Sequence, residues 1–343
     1  MLPYYHQIKA IRDKEVRQRV IDRLLLLRDQ MDRQIPKKTE ATTMLLATWN
    51  IREFGNNRMI ESLYYIAEIL SRFDIIAVQE VASDLTGLKK VLSIMSSQWG
   101  FIVTDSTDGS AGGGERMAFV YDKSKIAFKN VAGELVLPKG KLIQDELQFA
   151  RTPFCAAFQA KWFNFKLNTV HIYYGSSSGI DKRRLAEIDT IAAYLSKRAK
   201  KEDESYILLG DYNIVKTSDK TMKALEKNGF FIPDSIKTHP TDLGQTKHYH
   251  QIAFNFKLNS NMTVFSEGDQ KSGAFNFTES VYTKDDVDVY RKYFPEKNVK
   301  DKNENDIQKY YLTSWRTFQM SDHLLLWAEL KIDFSDEYLT SLR

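Results

Sequence analysis

The sequence predicts an α/β protein in which two packed β-sheets are flanked by helices. Short apolar runs alternate with helical patterns beyond Thr43, and Phe154–Tyr174 predicts a β-hairpin that turns near Asn164. Strands that cluster as hairpins while helices interleave are typical of layered sheets. The chain has 343 residues, 43% of them hydrophobic, and this is enough to fill a sizeable core.

The composition excludes several classes of protein. The formal charge is only +4, from 49 Lys+Arg against 45 Asp+Glu, so a polybasic tail protein is excluded. The single cysteine, Cys155, lies in an apolar run, which predicts a buried thiol and excludes a disulfide-stapled secreted fold. The N-terminus shows no signal-peptide pattern, and no apolar run approaches the ~20 residues that span a bilayer. We therefore expect a soluble, cytoplasmic protein with no membrane span.

The N-terminal segment predicts one amphipathic helix. Its apolar residues recur at three- and four-residue steps from Ile8 to Ile35, and Pro36–Glu40 ends the helix as a linker. We therefore expect a helix and linker over residues 1–40 and the main domain over residues 41–343. The apolar face either packs on that domain or mediates self-association, because part of it has a/d-like spacing. The residues with this spacing are Val20, Leu24, Leu27 and Met31.

The elements of the main domain follow from the two hydrophobic periods. Short apolar runs rich in β-branched or aromatic residues predict strands, and apolar residues spaced by three or four predict helices. In order, the predicted strands outside the hairpin are Leu45–Ile51, Ile75–Val78, Met117–Tyr121, Tyr206–Leu209, Ile252–Phe256, Phe275–Tyr282 and Leu324–Ile332. The predicted helices are Ile60–Leu70, Leu85–Met95 and Lys182–Arg198. Mixed charges from Asp285 to Asn305 predict an insertion that is helical or a loop.

Five strand boundaries carry side chains that are capable of chemistry. A single Asp or Asn at a strand end is usually a turn or cap residue. Strand ends in a layered fold converge on one rim, however, so five together predict a site with oxygen donors and two imidazoles. The five segments are Thr48-Trp49-Asn50, Ala77-Val78-Gln79-Glu80, Thr169-Val170-His171, Gly210-Asp211-Tyr212-Asn213 and Ser321-Asp322-His323.

In combination and order, these segments resemble the motifs of the endonuclease/exonuclease/phosphatase superfamily, whose fold is deoxyribonuclease I-like. The resemblance runs from about Leu45 to about Phe334 and leaves the N-terminal helix outside as an extra element. Two further motifs contribute to it, Gly114-Glu115-Arg116 and Phe149-Ala150-Arg151-Thr152-Pro153. It implies a four-layered sandwich of two mostly antiparallel β-sheets flanked by helices. It also implies a hydrolase that cuts phosphoester bonds with a divalent metal.

The resemblance implies a metal site made of oxygen donors. Asn50 and Glu80 correspond to the metal-binding pair, and Asp322 to a carboxylate that approaches the metal or a second cation. Mg²⁺ prefers oxygen ligands and retains water, so one or two carboxylates and a substrate phosphate suffice. We therefore expect Mg²⁺ as the cofactor, with Mn²⁺ or Ca²⁺ as possible replacements.

The resemblance also implies the groups that act on the phosphate. Asp211 would orient or deprotonate the attacking water, and Asn213 would donate its amide to the phosphate. His171 and His323 would flank the phosphate as donors and proton-transfer groups.

The partner of the first of these histidines is Glu115, which would fix its tautomer and favour its protonated form. Arg151 resembles an arginine that braces the site or binds the substrate phosphate; the competing interpretation is a plain surface arginine.

One position departs from the family pattern. The partner of His323 is normally an aspartate, but the corresponding segment Tyr249-His250-Gln251-Ile252 places His250 there. Replacing an anion by an imidazole removes Coulombic support for a protonated His323. Three explanations are open: a neutral hydrogen bond between the histidines, a different register in which Asp242 or another acid fills the role, or an impaired site. We expect an active phosphodiesterase that is slowed or shifted in its pH dependence.

The motifs predict the reaction but leave the substrate open. We expect a nuclease acting on DNA or RNA, because Lys182-Arg183-Arg184 follows the His171 strand and could place cations near a phosphate backbone. One alternative is a phosphatase or phosphodiesterase acting on a lipid headgroup or a small phosphoester. The other is a catalytically impaired nucleic-acid-binding module, which His250 permits. Endonucleolytic and exonucleolytic cleavage are not distinguished.

Overall fold

A computed structural model of the chain describes residues 3–107, 113–144, 146–176, 181–256 and 271–343. These residues form eleven strands and ten α-helices. The strands are β1 Thr43–Phe54, β2 Ile75–Val81, β3 Trp99–Val103, β4 Arg116–Asp122, β5 Ile126–Glu134, β6 Phe154–Ala160, β7 Phe163–His171, β8 Ser205–Asp211, β9 His250–Asn255, β10 Ser272–Phe275 and β11 Leu325–Lys331. The helices are α1 Lys14–Gln34, α2 Ile60–Ser71, α3 Thr86–Met95, α4 Lys182–Glu202, α5 Lys220–Lys227, α6 Asp234–Lys237, α7 Val287–Tyr290, α8 Glu304–Tyr310, α9 Arg316–Gln319 and α10 Ser335–Ser341.

The described strands form two sheets. The first has the order β10-β11-β1-β2-β4-β3 and the second has the order β5-β6-β7-β8-β9. The neighbouring strands are antiparallel except for β1–β2 and β7–β8, which are parallel. The predicted arrangement of two mostly antiparallel sheets is therefore confirmed.

Strand β1 shows how the alternation of side chains builds the layers. Successive side chains of a strand point to opposite faces of its sheet. Met44 and Leu46 of β1 pack with the second sheet, whereas Leu45, Ala47 and Trp49 pack with helices α1 to α3. Helix α4 covers the outer face of the second sheet. The order of layers is therefore helices, sheet, sheet and helices, as the resemblance implied.

Helix α1 packs on the rest of the chain through its apolar face. The helix begins later than predicted, at Lys14, because Asp13 caps it by accepting hydrogen bonds from the first backbone N–H groups. The face with a/d-like spacing is buried, and Arg19 of α1 pairs with the buried Glu61 of α2 at 2.8 Å. Self-association through this face therefore finds no support. The division into residues 1–40 and 41–343 stays a prediction.

Several predicted boundaries are wrong. The hairpin turns at Lys161-Trp162 rather than at Asn164, and Lys161 has the left-handed φ of 51° that its two-residue turn requires. The strand predicted over Phe275–Tyr282 ends at its first residue, because Asn276 caps a 3₁₀ turn that follows. Strands β3 and β5 and helices α5, α6, α9 and α10 were not predicted. The insertion after Asp285 is helical in part, since it contains α7.

Two expectations from composition have structural counterparts. The Cys155 thiol is buried, and burial raises its pKa to about 11. Among the described residues, no helix combines the length and the apolar composition needed to cross a membrane.

Candidate active site

The predicted site lies where the two parallel strand pairs end. Asn50 of β1 lies beside Gln79 of β2 in one sheet, and His171 of β7 lies beside Asp211 of β8 in the other. The two sheets meet at this rim, because the Asn50 amide donates a 3.1 Å hydrogen bond to the Asp211 carboxylate. The fold therefore brings residues that are 161 positions apart in sequence into direct contact.

Local departures from regular strand geometry direct the side chains into the site. Glu80 has φ of 59°, at a point where the register of β2 against β4 shifts. Such bulges re-aim a side chain at the end of a strand. Before Asp211, Gly210 has φ of 136°, and a Cβ there would lie 2.1 Å from the Val170 carbonyl oxygen. Only glycine fits at this position.

The Asn50 and Glu80 side chains fit a divalent cation that prefers oxygen. The Asn50 amide nitrogen donates to Glu80 Oε1 at 2.8 Å, while the amide oxygen is buried and has no hydrogen-bond partner among the described residues. An unsatisfied buried oxygen beside a carboxylate is costly unless something binds it. Both residues therefore remain suitable ligands for Mg²⁺.

Asp211 is the buried anion of the site. Its Oδ1 accepts a 2.9 Å hydrogen bond from the Asn213 backbone N–H, and its Oδ2 lies 3.7 Å from both His171 Nε2 and His323 Nδ1. Burial alone would raise the pKa of this carboxyl, but the neighbouring imidazoles, His323 foremost, hold it well below its usual range. Asp211 is therefore ionised at neutral pH and positioned to accept a proton or a hydrogen bond from water.

His171 belongs to a chain of three charged groups. Its Nδ1 lies 2.9 Å from Glu115 Oε2, and Arg151 binds the same carboxylate in bidentate fashion at 2.8 and 2.9 Å. Burial and Arg151 oppose protonation of His171, but the Glu115 hydrogen bond and the Asp211 charge outweigh them and raise its pKa. Arg151 thus braces Glu115, which is one of its two predicted roles.

The Glu115→Gln substitution should destabilise the protein in a pH-dependent way. Burial alone would raise the pKa of Glu115, but hydrogen bonds from His171 and Arg151 and their charges lower it from 4.5 to about 2. The ionised carboxylate therefore stabilises the fold above about pH 4.5, and this stabilisation is lost as the pH falls towards 2. We expect a loss of about 2 kcal/mol at neutral pH that shrinks on acidification. Urea unfolding of both proteins across this pH range measures the difference in their free energies of unfolding. A difference that stays constant with pH would contradict the role assigned to the ionised Glu115.

The second histidine of the site contacts another histidine. His323 Nδ1 lies 3.2 Å from His250 Nε2, and the rings meet edge to face. Burial lowers the pKa of His250 to about 3, so this imidazole is neutral at physiological pH.

Asp242 is not placed to assist His323. Its carboxylate accepts hydrogen bonds from the Thr246 and Lys247 backbone N–H groups, both at 2.7 Å, and thus closes its own turn. The geometry favours the register in which His250 stands where the family has an aspartate.

The remaining predicted residues differ in their exposure: Asn213 and Arg184 are buried, whereas Asp322 is exposed. The Asn213 amide donates to the Ile172 carbonyl at 2.8 Å, so it also fixes the chain after β7. The Asp322 side chain is exposed, and no hydrogen bond among the described residues joins it to the buried cluster. The expected surface cation Arg184 is instead buried, with a 2.9 Å hydrogen bond from Nη1 to the Asn213 carbonyl.

Two buried residues that support the site were not predicted. Glu187 of α4 accepts 3.0 Å hydrogen bonds from the backbone N–H groups of Ala150 and Tyr173, and so it holds the segments that carry Arg151 and His171. Gln79 of β2 donates to Thr169 of β7 at 2.9 Å and ties the two sheets together beneath the rim. Gln79 lies in one of the five predicted segments, which gave it no role of its own, and Glu187 is one of several charged residues near the start of its helix.

Comparisons with known proteins agree with the fold and the motifs. No family model matches the chain. Deoxyribonuclease-1 of Equus caballus is 28% identical over 213 residues, which cover 58% of this chain and 73% of that protein.

Solved structures show the same fold. An endonuclease/exonuclease/phosphatase family protein of Bacteroides thetaiotaomicron superposes with a TM-score of 0.52 at 16% identity, over 85% of this chain and 96% of that one. A mannosyl-6-phosphatase of the same organism gives a TM-score of 0.52 at 14% identity, over 84% and 99%. The paired sheets and the motifs at the strand ends agree with these likenesses, and the chain has the fold of these endonuclease/exonuclease/phosphatase proteins.

Proposed function

We propose that this chain is a divalent-metal-dependent nuclease that hydrolyses phosphodiester bonds of DNA or RNA. The observation that carries the proposal is the convergence of Asp211, ionised and buried, with Asn50 and two imidazoles. The similarity of this chain to a deoxyribonuclease supports a nucleic acid as the substrate. The bonds cut by such an enzyme are phosphodiesters, and the attacking group is water.

Each of these side chains has a separate role in the proposed reaction. Asp211 accepts a hydrogen bond or proton from water and directs it in line with the leaving oxygen. His171, whose pKa is raised, holds a proton for a phosphate oxygen. A cation held by Asn50 and Glu80, with Mg²⁺ as our proposed ion and Mn²⁺ or Ca²⁺ as substitutes, would supply positive charge where negative charge develops.

The remaining groups act on the phosphate or its surroundings. His323 flanks the phosphate opposite His171 and shares in proton transfer. Asn213 donates its amide to a phosphate oxygen. Arg151 pairs with Glu115 and holds its carboxylate in place. The guanidinium also adds positive charge at the rim. Asp322, which is exposed, is proposed to approach a second cation when substrate binds.

The His250→Asp variant should hydrolyse substrate faster near neutral pH. A carboxylate at this position would favour the protonated form of His323, which an imidazole cannot do. We expect an increase in kcat of about tenfold, because one charge-assisted hydrogen bond is gained. A pH–rate profile of both proteins measures it. An unchanged rate in a variant that folds equally well would contradict the role assigned to His250.

A panel of substrates tests the proposed function. Purified protein is incubated with supercoiled plasmid, single-stranded DNA, RNA and a sugar phosphate monoester, in Mg²⁺, Mn²⁺, Ca²⁺ or EDTA. The proposal predicts metal-dependent cleavage of a nucleic acid, with binding that weakens steeply as salt rises. The size and pattern of the products show whether cleavage is endonucleolytic or exonucleolytic.

The same panel separates the alternatives. Hydrolysis of the monoester alone would indicate a phosphatase for a small phosphoester or lipid headgroup, which the likeness to a mannosyl-6-phosphatase favours. Salt-sensitive binding of nucleic acid without cleavage would indicate an impaired binding module. The cytoplasmic location stays a prediction from the sequence.

A further inference from the structure

Asp211, His250 and His323 form a cluster whose chemistry differs from that of the Asn50–Glu80 pair. All three are buried, and one ligand atom from each lies within 4.8 Å of the others. The cluster offers two imidazole nitrogens and one carboxylate oxygen. Imidazole suits Zn²⁺ and related transition metals, whereas Mg²⁺ prefers oxygen ligands. The replacement of an aspartate by His250 therefore changes which ion this end of the site prefers.

The distances fit a tetrahedral ion. With Zn–N bonds of about 2.0–2.1 Å, two ligands of a tetrahedral zinc lie about 3.3 Å apart. The two imidazole nitrogens are 3.2 Å apart, and His323 Nδ1 is 3.7 Å from Asp211 Oδ2. Two of the three donor separations are thus close to those around one tetrahedral ion, and the third lies within 4.8 Å.

A second group of potential ligands contains a carboxylate that a guanidinium already binds. Glu80, Glu115 and His171 also place ligand atoms within 4.8 Å of one another. Both oxygens of Glu115 are bound by Arg151, and His171 Nδ1 lies 2.9 Å from one of them. A cation there would compete with a guanidinium. Neither imidazole of the first cluster faces a competing cation of this kind among the described residues.

We propose that His250, His323 and Asp211 bind one transition-metal ion of the Zn²⁺ class, with water as the fourth ligand. The ion would bind both facing nitrogens, in place of the one proton that a hydrogen bond between them shares. The bound ion would engage Asp211 and His323 and so would inhibit hydrolysis. This consequence rests on the proposed function, whereas the binding itself does not.

Binding to the purified full chain tests the proposal without any substrate. Co²⁺ serves as the probe because a four-coordinate Co²⁺ site absorbs strongly in the visible range. We expect one tight equivalent that persists in excess Mg²⁺ and is displaced by Zn²⁺. The His250→Asn variant should bind at least about 100-fold more weakly, because even changes in residues that only orient a ligand cost 10–100-fold.

The exposed His6 provides a matched control, His6→Asn, because its neighbours Tyr4 and Tyr5 contact Ile94 and Glu68 rather than the cluster. This variant should bind Co²⁺ like the wild type, and thermal unfolding shows whether both variants fold. Equal affinity in His250→Asn and wild type, or no tight equivalent in the wild type, would overturn the proposal. If cleavage occurs in Mg²⁺, Zn²⁺ should inhibit the wild type at least tenfold more strongly than His250→Asn. Tight binding without any hydrolysis would overturn only the proposed function.

Discussion

Replacing Asp211 by Asn is expected to lower kcat for phosphodiester cleavage by about 10³-fold. The amide has the same size as the carboxylate, and its oxygen can still accept the hydrogen bond from the Asn213 N–H. It carries no charge, however, and its nitrogen would face the Asn50 amide, which now donates to Asp211 Oδ2. The variant therefore loses both the acceptor for the proton of water and the anion between the imidazoles.

The Asp242→Asn variant is the matched control. Asp242 pairs through its backbone with His323, but its carboxylate closes a turn by binding Thr246 and Lys247. We expect kcat to change by less than about threefold, since this carboxylate does not contact the reacting groups. Single-turnover cleavage at saturating Mg²⁺ compares the two variants. A large loss in Asp242→Asn with little loss in Asp211→Asn would reverse the assignment.

The Arg184→Met substitution is expected to destabilise the protein by roughly 3–5 kcal/mol. The buried guanidinium donates to the carbonyl of Asn213 at 2.9 Å, to that of Ser176 at 2.6 Å and to that of Tyr174. Methionine fills much of the space but leaves these carbonyls without their donor. Because Asn213 lies two residues after Asp211, the proposed catalytic aspartate, activity at permissive temperature should fall as well.

Arg198 of the same helix offers the control for this substitution. It is half-buried and pairs with Glu202 at 3.0 Å, one turn away. Such a pair contributes about 0.3–0.5 kcal/mol, so Arg198→Met should change stability by less than about 1 kcal/mol. Urea unfolding of both variants measures the difference. Equal effects would show that the hydrogen bonds of Arg184 do not stabilise the loops around the site.

The sequence predicts the site better than it predicts the edges of the fold. Asn50, Glu80, His171 and Asp211 follow central apolar strands, and the ends of parallel neighbours meet at one rim, so their convergence follows from topology. Strand β5 was not predicted because it lacks the apolar run that is typical of a central strand. It is an edge strand, and most of its side chains are exposed.

The supporting residues of the site are harder to predict. Arg184 and Glu187 are charged, and charged residues near a helix start normally face solvent. Their burial depends on loop carbonyls and backbone N–H groups that the fold brings to them from distant positions. No local pattern encodes those partners. The contact between His250 and His323 is likewise set by the pairing of β8 with β9, which places residue 250 beside Asp211.

The most direct test of a metal-dependent site is Mg²⁺-dependent cleavage of supercoiled plasmid by wild type and Glu80→Gln. Glu80 receives the Asn50 amide at 2.8 Å and a backbone N–H at 2.9 Å, and glutamine preserves its shape without its charge. We expect EDTA to stop cleavage by the wild type, Mg²⁺ to restore it, and Glu80→Gln to be at least about 100-fold slower at the same Mg²⁺ concentration. Cleavage that continues in EDTA, or equal rates for the two proteins, would contradict it.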